Sequence, residues 1–317
     1  MDHFIYDISA WELDPDIQFH TPGAMEKILF KPLGNLSEPF ITNKRYLLKF
    51  HKPGFPCQFW SEYIACKFAE FLKLPVQKSF LARYNNRVGV LLKWFTSENE
   101  EAHDGGVYMR KINPSYDSKK GKQNNLEDFI SILTELEKNE NFQKDWYDYI
   151  IKMFTFDALI CNIDRHQDNW CIIKSSSNIS NSYSKFSLIY DNGTSLGSAL
   201  QEEAIQKYNS GIKKIESYLA KGRHHIKYKR NDDEKDKIKH VELIKYFINI
   251  SIHNKKLIEN ILTFDIKEFE SSIINLTLLK DIKTKQQLST ERLKFMLSLI
   301  QSRQNEICLY LNNLDKI

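Results

Sequence analysis

"CNIDRHQDNW", residues 161–170, follows the apolar run "MFTFDALI" (153–160) and leads into a second apolar run, "WCIIK" (170–174). Charge crowded between two segments of buried character is not simply free at a loop tip. Asp164 and Asn169 stand five positions apart, and a further acid, Asp191, follows in "IYDNGTS" (189–195), at what reads as a strand end. An acid to orient a hydroxyl, an amide oxygen and a second acid are what phosphoryl transfer asks of a protein. The reaction needs a positioned nucleophile and a divalent cation held across the phosphates. Mg2+ takes carboxylate and carbonyl oxygens and keeps several waters, so one Asn and one Asp suffice as protein ligands. A D-x-x-x-x-N pattern alone matches many solvated turns; the flanking apolar runs and Asp191 are what add to it here.

The 317 residues allow one large domain or two lobes. Hydrophobic residues make up 42% and charged residues 27%, an ordinary globular balance rather than a disordered one. A net charge of +4 from nearly balanced signs does not point to nucleic acid as a partner. The five cysteines (Cys57, Cys66, Cys161, Cys171 and Cys308) form no CxxC pair, so buried thiols in a reduced compartment are expected. No run approaches the ~18 apolar residues of a spanning helix. The N-terminal "MDHFIYDISAWELDPD" carries acids throughout, so no secretory signal of the usual kind is expected. The expected location is cytoplasmic, with a signal-peptide-independent route into a host cell left open.

Along the chain, "KILFKP" (27–32) and "RYLLKF" (45–50) are β-type runs joined by a turn-rich connection. In the second, Tyr46, Leu48 and Phe50 share one face, and Lys49 shares the other with Leu47. "SEYIACKFAEFLKLP" (61–75) predicts a helix with a bulky stripe of Ile64, Phe68, Phe71 and Leu72. Its neighbouring face holds Glu62 among Ala65, Cys66 and Ala69, small residues that admit a close backbone. "VQKSFLARYNN" (76–86) and "RVGVLLKWF" (87–95) predict strands joined at Asn85–Asn86. Residues 100–125 read as a polar connection. Asn125 is placed to cap a helix buried through Phe129, Ile132, Leu133 and Leu136. A longer helix is expected from about Phe142 to Leu159, then two short strands, "WCIIK" and "FSLIYD" (186–191), around a Ser/Asn-rich turn. Beyond Ala199 the pattern is mostly helical, and the last helix starts near Ser289–Thr290.

The spacing of Asp164 and Asn169 equals that of the protein-kinase catalytic loop, with Asp-Arg-His where protein kinases have His-Arg-Asp. "ICNIDRHQDNW…LIYDNGTS" resembles the catalytic and metal-binding segments of the HipA-like serine/threonine kinases. "PGAMEKILF" (22–30) resembles their phosphate loop, and "WSEYIACKFAEFLKLPV" (60–76) the helix after their nucleotide lysine. Within that family the likeness is to the short, stand-alone branch of cell-translocating kinases. It covers roughly residues 20–200, and the C-terminal third matches only in being helical. The resemblance implies an α+β, bilobal protein-kinase-like fold (HipA/PI3-4-kinase-like). A small β-rich N-lobe over residues 1–96 would carry the phosphate loop, and a larger helical C-lobe over 97–317 the catalytic loop and metal-binding hairpin. It implies ATP and Mg2+ as cofactors and an autophosphorylating serine/threonine kinase acting on a protein substrate. Asp164 would be the catalytic base, and Asn169 and Asp191 the metal ligands. Gly23, Ala24, Glu26 and Lys27 would form the phosphate loop. Lys49 would hold the α/β-phosphates with Glu62 as its ion-pair partner, and Lys93 and Phe95 would belong to the adenine hinge beside Trp94. His166 would either touch a phosphate or orient the loop backbone.

There are departures from the pattern. The family's autophosphorylated serine is replaced by His20, followed by Thr21 and Pro22, so regulation through that serine is not expected. The chain begins close to the phosphate loop, without the N-terminal subdomain of full-length HipA, which a partner would then supply in trans. Trp170 and Trp94 read as packing residues. "KGRHHIKYKRNDDEKDKIK" (221–239) is locally basic and would suit an acidic or nucleic-acid substrate, but its following acids favour a solvated loop of both signs. His224 and His225 lack metal-spaced partners, so no zinc site is expected. Two other functions stay open: a phosphoinositide-type lipid kinase, whose loop also reads Asp-Arg-His-x-x-Asn, and the kinase toxin of a toxin–antitoxin pair. The expected partners are a protein substrate and an antitoxin or host protein.

Overall fold

A computed structural model describes residues 4–14, 26–34, 36–52, 54–55, 57–117, 121–175, 182–233, 235–280 and 282–314. The chain forms two compact units. The first comprises Met1–Phe95, Asn192–Ile212 and Asp265–Leu297; the second comprises Thr96–Asp191, Lys213–Phe264 and Ser298–Ile317.

The first unit is built on a five-stranded sheet in the order β1-β4-β5-β3-β2. Its strands are β1 (Ile5–Asp7), β2 (Lys27–Phe30), β3 (Tyr46–Lys49), β4 (Ser79–Tyr84) and β5 (Arg87–Lys93). β1 runs parallel to β4, and the other pairs are antiparallel. Asn85 and Asn86 both take positive φ, +48° and +63°, the conformation a two-residue hairpin turn of matching twist demands. One face of the sheet gathers Ile8, Phe30, Tyr46, Leu48, Phe50, Ala82 and Leu91 into a core. The helix α1 (Gln58–Phe71) turns Phe68 and Phe71 toward Phe269 of a later helix, with ring centroids 4.9 and 5.4 Å apart. The parallel strand β1 was not expected. Three residues, Ile5–Asp7, are too short to show a period in the sequence.

The second unit departs from expectation over residues 100–125. Glu100–Asp104 is a strand, β6, and Gly105–Ile112 a helix, α2. β6 pairs with β7 (Cys171–Ser175), and β7 with β8 (Ser184–Phe186), in an antiparallel three-stranded sheet. Charged β6 forms because its main chain is matched by β7, a tertiary partner outweighing local propensity. Asn125 caps α3 (Leu126–Asn139) as expected, accepting the Asp128 N–H at 2.8 Å. The helix α4 starts at Trp146 and ends at Leu159. Helices α5 (Glu202–Asn209), α6 (Ile215–Leu219), α7 (His240–Ile250), α8 (Ile252–Ile261), α9 (Ile266–Ile273) and α10 (Thr290–Leu314) complete the chain.

Trp170 is 6% exposed and packs edge-on to Phe129, with centroids 4.7 Å apart. A Cβ at Gly105 would lie 2.1 Å from its indole, so only glycine fits beneath that ring. Gly105→Ala should cost about 1–3 kcal/mol through overpacking. A lowered urea midpoint with an unchanged slope would show this, and an unchanged midpoint would refute it.

Candidate functional site

In the first unit, strand alternation sends Tyr46, Leu48 and Phe50 to the core and Lys49 to the opposite face, toward α1. There Lys49 Nζ donates to Glu62 Oε2 at 3.1 Å, with side-chain exposures of 3% and 0%. Glu62 Oε1 accepts the Asn192 N–H at 2.8 Å, and Asn192 Nδ2 lies 3.8 Å from Cys66 Sγ. The small face of α1 admits this backbone: a Cβ on Gly193 would stand 3.0 Å from Glu62 Oε2. Gly89 lets β5 approach equally closely, since a Cβ there would lie 2.4 Å from the Lys49 carbonyl oxygen. An ion pair this buried loses most of its Coulombic gain to desolvation, so its effect is to hold geometry more than to add stability. Burial, with the Glu62 charge, pushes the Cys66 thiol up to about 12, leaving it inert.

The other first-unit candidates lie at the ends of the same strands. Glu26 Oε1 and Oε2 accept hydrogen bonds from Arg87 Nη1 and Nη2, at 2.7 and 2.8 Å, and Arg87 lies over the Phe50 ring at 3.9 Å. The hydrogen bonds from Arg87 hold the Glu26 carboxyl below its ordinary range. Lys27 stands opposite Lys49 in the β2–β3 register. Gly23 and Ala24 lie outside the described residues, as do His20 and Thr21. Lys93 ends β5; partial burial, with Lys78 and Lys44 nearby, lowers its pKa. Its carbonyl accepts from Gln77 Nε2 at 2.9 Å, and Trp94 and Phe95 stack with centroids 5.6 Å apart.

In the second unit the decapeptide is organised around a buried pair that the sequence reading passed over. Asp157, within the apolar run on α4, is fully buried. Arg165 Nη2 donates to Asp157 Oδ1 at 2.7 Å and Arg165 Nε to Oδ2 at 2.9 Å. Arg165 Nη1 donates to the Asn169 carbonyl at 3.0 Å and also to the Tyr190 carbonyl. One guanidinium therefore ties α4 to the carbonyls of Asn169 and of the residue before Asp191. Asn162 extends the network: its Nδ2 donates to Asp157 Oδ1 at 2.9 Å, and its Oδ1 accepts the Asp164 N–H at 3.1 Å. Asn169 Nδ2 donates to the Asp164 carbonyl at 2.7 Å, which leaves Oδ1 as the acceptor end of that amide. The signal for this clamp was an acid and an arginine in an otherwise apolar context, both of which must be paired if buried.

Asp191 does not end a strand, contrary to the sequence reading. β8 stops at Phe186, and Asp191 takes a left-handed φ of +53°. That conformation is uncommon for a non-glycine residue and marks a locally constrained loop. His166 is half-buried; its Nδ1 accepts the Asp168 N–H at 3.2 Å. Burial raises the Asp168 carboxyl, and burial with the Asp168 charge raises Asp104. Among the described residues, no group of three or more His, Cys, Asp or Glu side chains is arranged to hold a metal. The oxygens of Asn169 and Asp191 are hard donors of the kind Mg2+ takes, and the oriented Asn169 amide suits one. Beneath the loop, His240 Nε2 donates to the Asn162 carbonyl at 2.8 Å, and His224 packs against His240 with ring centroids 4.5 Å apart.

Arg165→Met should destabilise the protein by about 3–5 kcal/mol, because it strands the buried Asp157 charge. The double variant Arg165→Met with Asp157→Leu should recover part of that loss. A urea double-mutant cycle measures both, and additive losses would contradict the pairing. Burial holds His240 down at about 3, against an ordinary value of 6.5. Below pH 6.5 the unfolded chain therefore binds a proton that the fold refuses. Stability should fall as pH drops from about 6.5 toward 3, and be flat for this group above pH 7, at up to ~1.4 kcal/mol per pH unit. His240→Gln should flatten the slope of urea midpoint against pH, and identical slopes would refute the assignment.

No protein-family model matches this chain. The curated serine/threonine-protein kinase CtkA of Helicobacter pylori is 30% identical over 196 residues, which cover 59% of this chain and 57% of that protein. The chain thus spans somewhat more than half the length of this curated relative. The crystal structure of a Helicobacter pylori proinflammatory kinase CtkA matches with a TM-score of 0.75 at 23% identity, over 98% of each chain. HipA of Shewanella oneidensis MR-1, in a toxin–antitoxin complex with HipB and operator DNA, matches with a TM-score of 0.55 at 12% identity, over 99% of this chain and 70% of HipA. The chain is homologous to CtkA and carries the fold that CtkA and HipA share.

Proposed function

We propose that this protein is an ATP- and Mg2+-dependent serine/threonine protein kinase of the CtkA type. The observation that carries the reading is the buried Lys49–Glu62 ion pair, joined by the Asn192 amide directly after Asp191 in the chain. A strand lysine paired with a helix glutamate is the arrangement protein kinases use to hold the α/β-phosphates. The clamped loop of the second unit separately carries Asp164 and Asn169, the residue types this reaction asks of a base and a metal ligand.

In this reading Lys49 binds the α/β-phosphates, held straight by Glu62. Gly23, Ala24, Glu26 and Lys27 cover the phosphates, and Lys93 and Phe95 flank adenine. Asp164 orients the acceptor hydroxyl and takes its proton, and His166 lies beside the transferred phosphoryl group. Asn169 and Asp191 would hold Mg2+, which would supply charge neutralisation at the phosphates. Arg165 and Asp157 position these groups without touching substrate. The chain labels itself and an acceptor protein, and a protein partner in the manner of HipB would regulate it. Cytoplasmic residence belongs to this reading; among the described residues no helix is long and apolar enough to cross a membrane. Export into a host cell is the alternative suggested by the proinflammatory relative.

Incubation of the full chain with Mg2+ and γ-labelled ATP should label the protein, and mass spectrometry should place the phosphate on Ser or Thr. Asp164→Ala, Asp191→Ala and Lys49→Met should each lower the rate by at least roughly 100-fold. Undiminished labelling in both aspartate variants would end this reading.

A further inference from the structure

The basic segment 221–239 is not a loose solvated loop. It folds back on itself, with the His224 N–H donating to the Ile238 carbonyl at 2.8 Å and the Ile238 N–H to the Ile226 carbonyl at 2.9 Å. It is also fastened to the start of α3. The Lys227 N–H donates to the Asn124 carbonyl at 2.9 Å, and the Lys227 carbonyl accepts the Leu126 N–H at 2.8 Å. Arg230 pairs with buried Asp128 at 2.6 Å. The two adjacent histidines part company: His224 is fully buried, while His225 is half-buried and faces the decapeptide.

The fold-back sets Lys237 against His225. Lys237 Nζ lies 3.2 Å from Nδ1 and 3.5 Å from Nε2, distances that seat the ammonium over the imidazole rather than along one lone pair. The same ring has Nε2 3.2 Å from the Gly121 carbonyl, and its centroid lies 5.9 Å from that of His166 at an interplanar angle of 67°. Burial and the Lys237 charge lower the pKa of the imidazole, and the Asp164 charge acts on it in the opposite direction. A lysine remote in sequence is thus held against the imidazole of His225, whose ring neighbours that of His166 and feels the charge of Asp164.

We propose that Lys237 is a catalytic cation of the phosphotransfer site, seated by His225, that stabilises charge on the phosphoryl group as it passes to an acceptor hydroxyl at Asp164. The inference rests on the kinase reading above. In the step, the acceptor oxygen forms a bond to the γ-phosphorus. The bond from that phosphorus to the β–γ bridging oxygen breaks, and its electron pair leaves with ADP. The hydroxyl proton passes to the Asp164 carboxylate. A fixed ammonium close to the equatorial oxygens is most effective where their charge is redistributed, so its effect falls on turnover rather than on nucleotide binding. Lys237 is the catalytic residue in this scheme, and His225 is a positioning residue that acts through it.

The test uses the full chain, Mg2+, γ-labelled ATP and dephosphorylated casein as acceptor, with autophosphorylation followed in parallel. Lys237→Met should lower kcat at least roughly 30-fold, with the KM values for ATP and casein within about threefold of the parent. Lys237→Arg should recover to within about fivefold. His225→Ala should match Lys237→Met, whereas His225→Phe, which keeps a ring face under the ammonium, should retain a third or more of the parent rate. Lys237 is only partly buried, so a melting temperature within a few degrees of the parent is expected for its variants. A kcat for Lys237→Met within twofold of the parent, or a loss confined to a higher KM for casein, overturns the proposal while leaving the kinase reading intact. No transfer by the parent chain itself overturns both.

Discussion

Two buried charges, Asp157 and Arg165, govern the second unit. An acid on the apolar face of α4 carries a large desolvation cost unless it is met by hydrogen-bonding cations or amides. Arg165 and Asn162 meet it, and both belong to the loop that follows. The loop therefore cannot relax into solvent without exposing the helix acid to an empty apolar pocket. Its remaining guanidinium donor reaches the carbonyls of Asn169 and Tyr190, so satisfying the buried acid fixes the loop and the residue before Asp191 together.

The first unit solves a comparable problem with a different pair. Lys49 is forced off the core face by strand alternation, and the small residues around Glu62 on α1 leave room for the Asn192–Gly193 backbone. The lysine and the amide share the two carboxylate oxygens. Neither pair adds much net stability compared with apolar residues of the same volume. Both make a single arrangement of polar groups far less costly than its alternatives, which preorganises the backbone around them.

The candidate site draws on irregular backbone. Cys161 and Asp191 take left-handed φ values of +55° and +53°, and the loop between α4 and β7 carries no regular element. Segments of this kind persist only when their surroundings over-determine them. Here that is done by helices α4 and α7, the latter through His240, whose neutral ring holds the Asn162 carbonyl.

The sequence by itself determined most of the regular elements, though not β1, β6 or α2, and it offered the candidate residues of the site. Strand alternation announced the Lys49 face, the small stripe on α1 announced a close backbone beside Glu62, and Asn125 announced its helix. Asp164 and Asn169 stood out as candidates because their spacing is local and their chemistry restricted, whereas Asp191, 22 positions further on, was picked out as a second acid but wrongly placed at a strand end. What only the tertiary structure decided was set by partners distant in the chain. β6 exists because β7 completes its hydrogen bonds, Asp157 and Arg165 matter because burial makes pairing compulsory, and Lys237 meets His225 because segment 221–239 folds back against α3. Local pattern reports what one stretch prefers, whereas desolvation and main-chain pairing depend on what the rest of the fold brings to it.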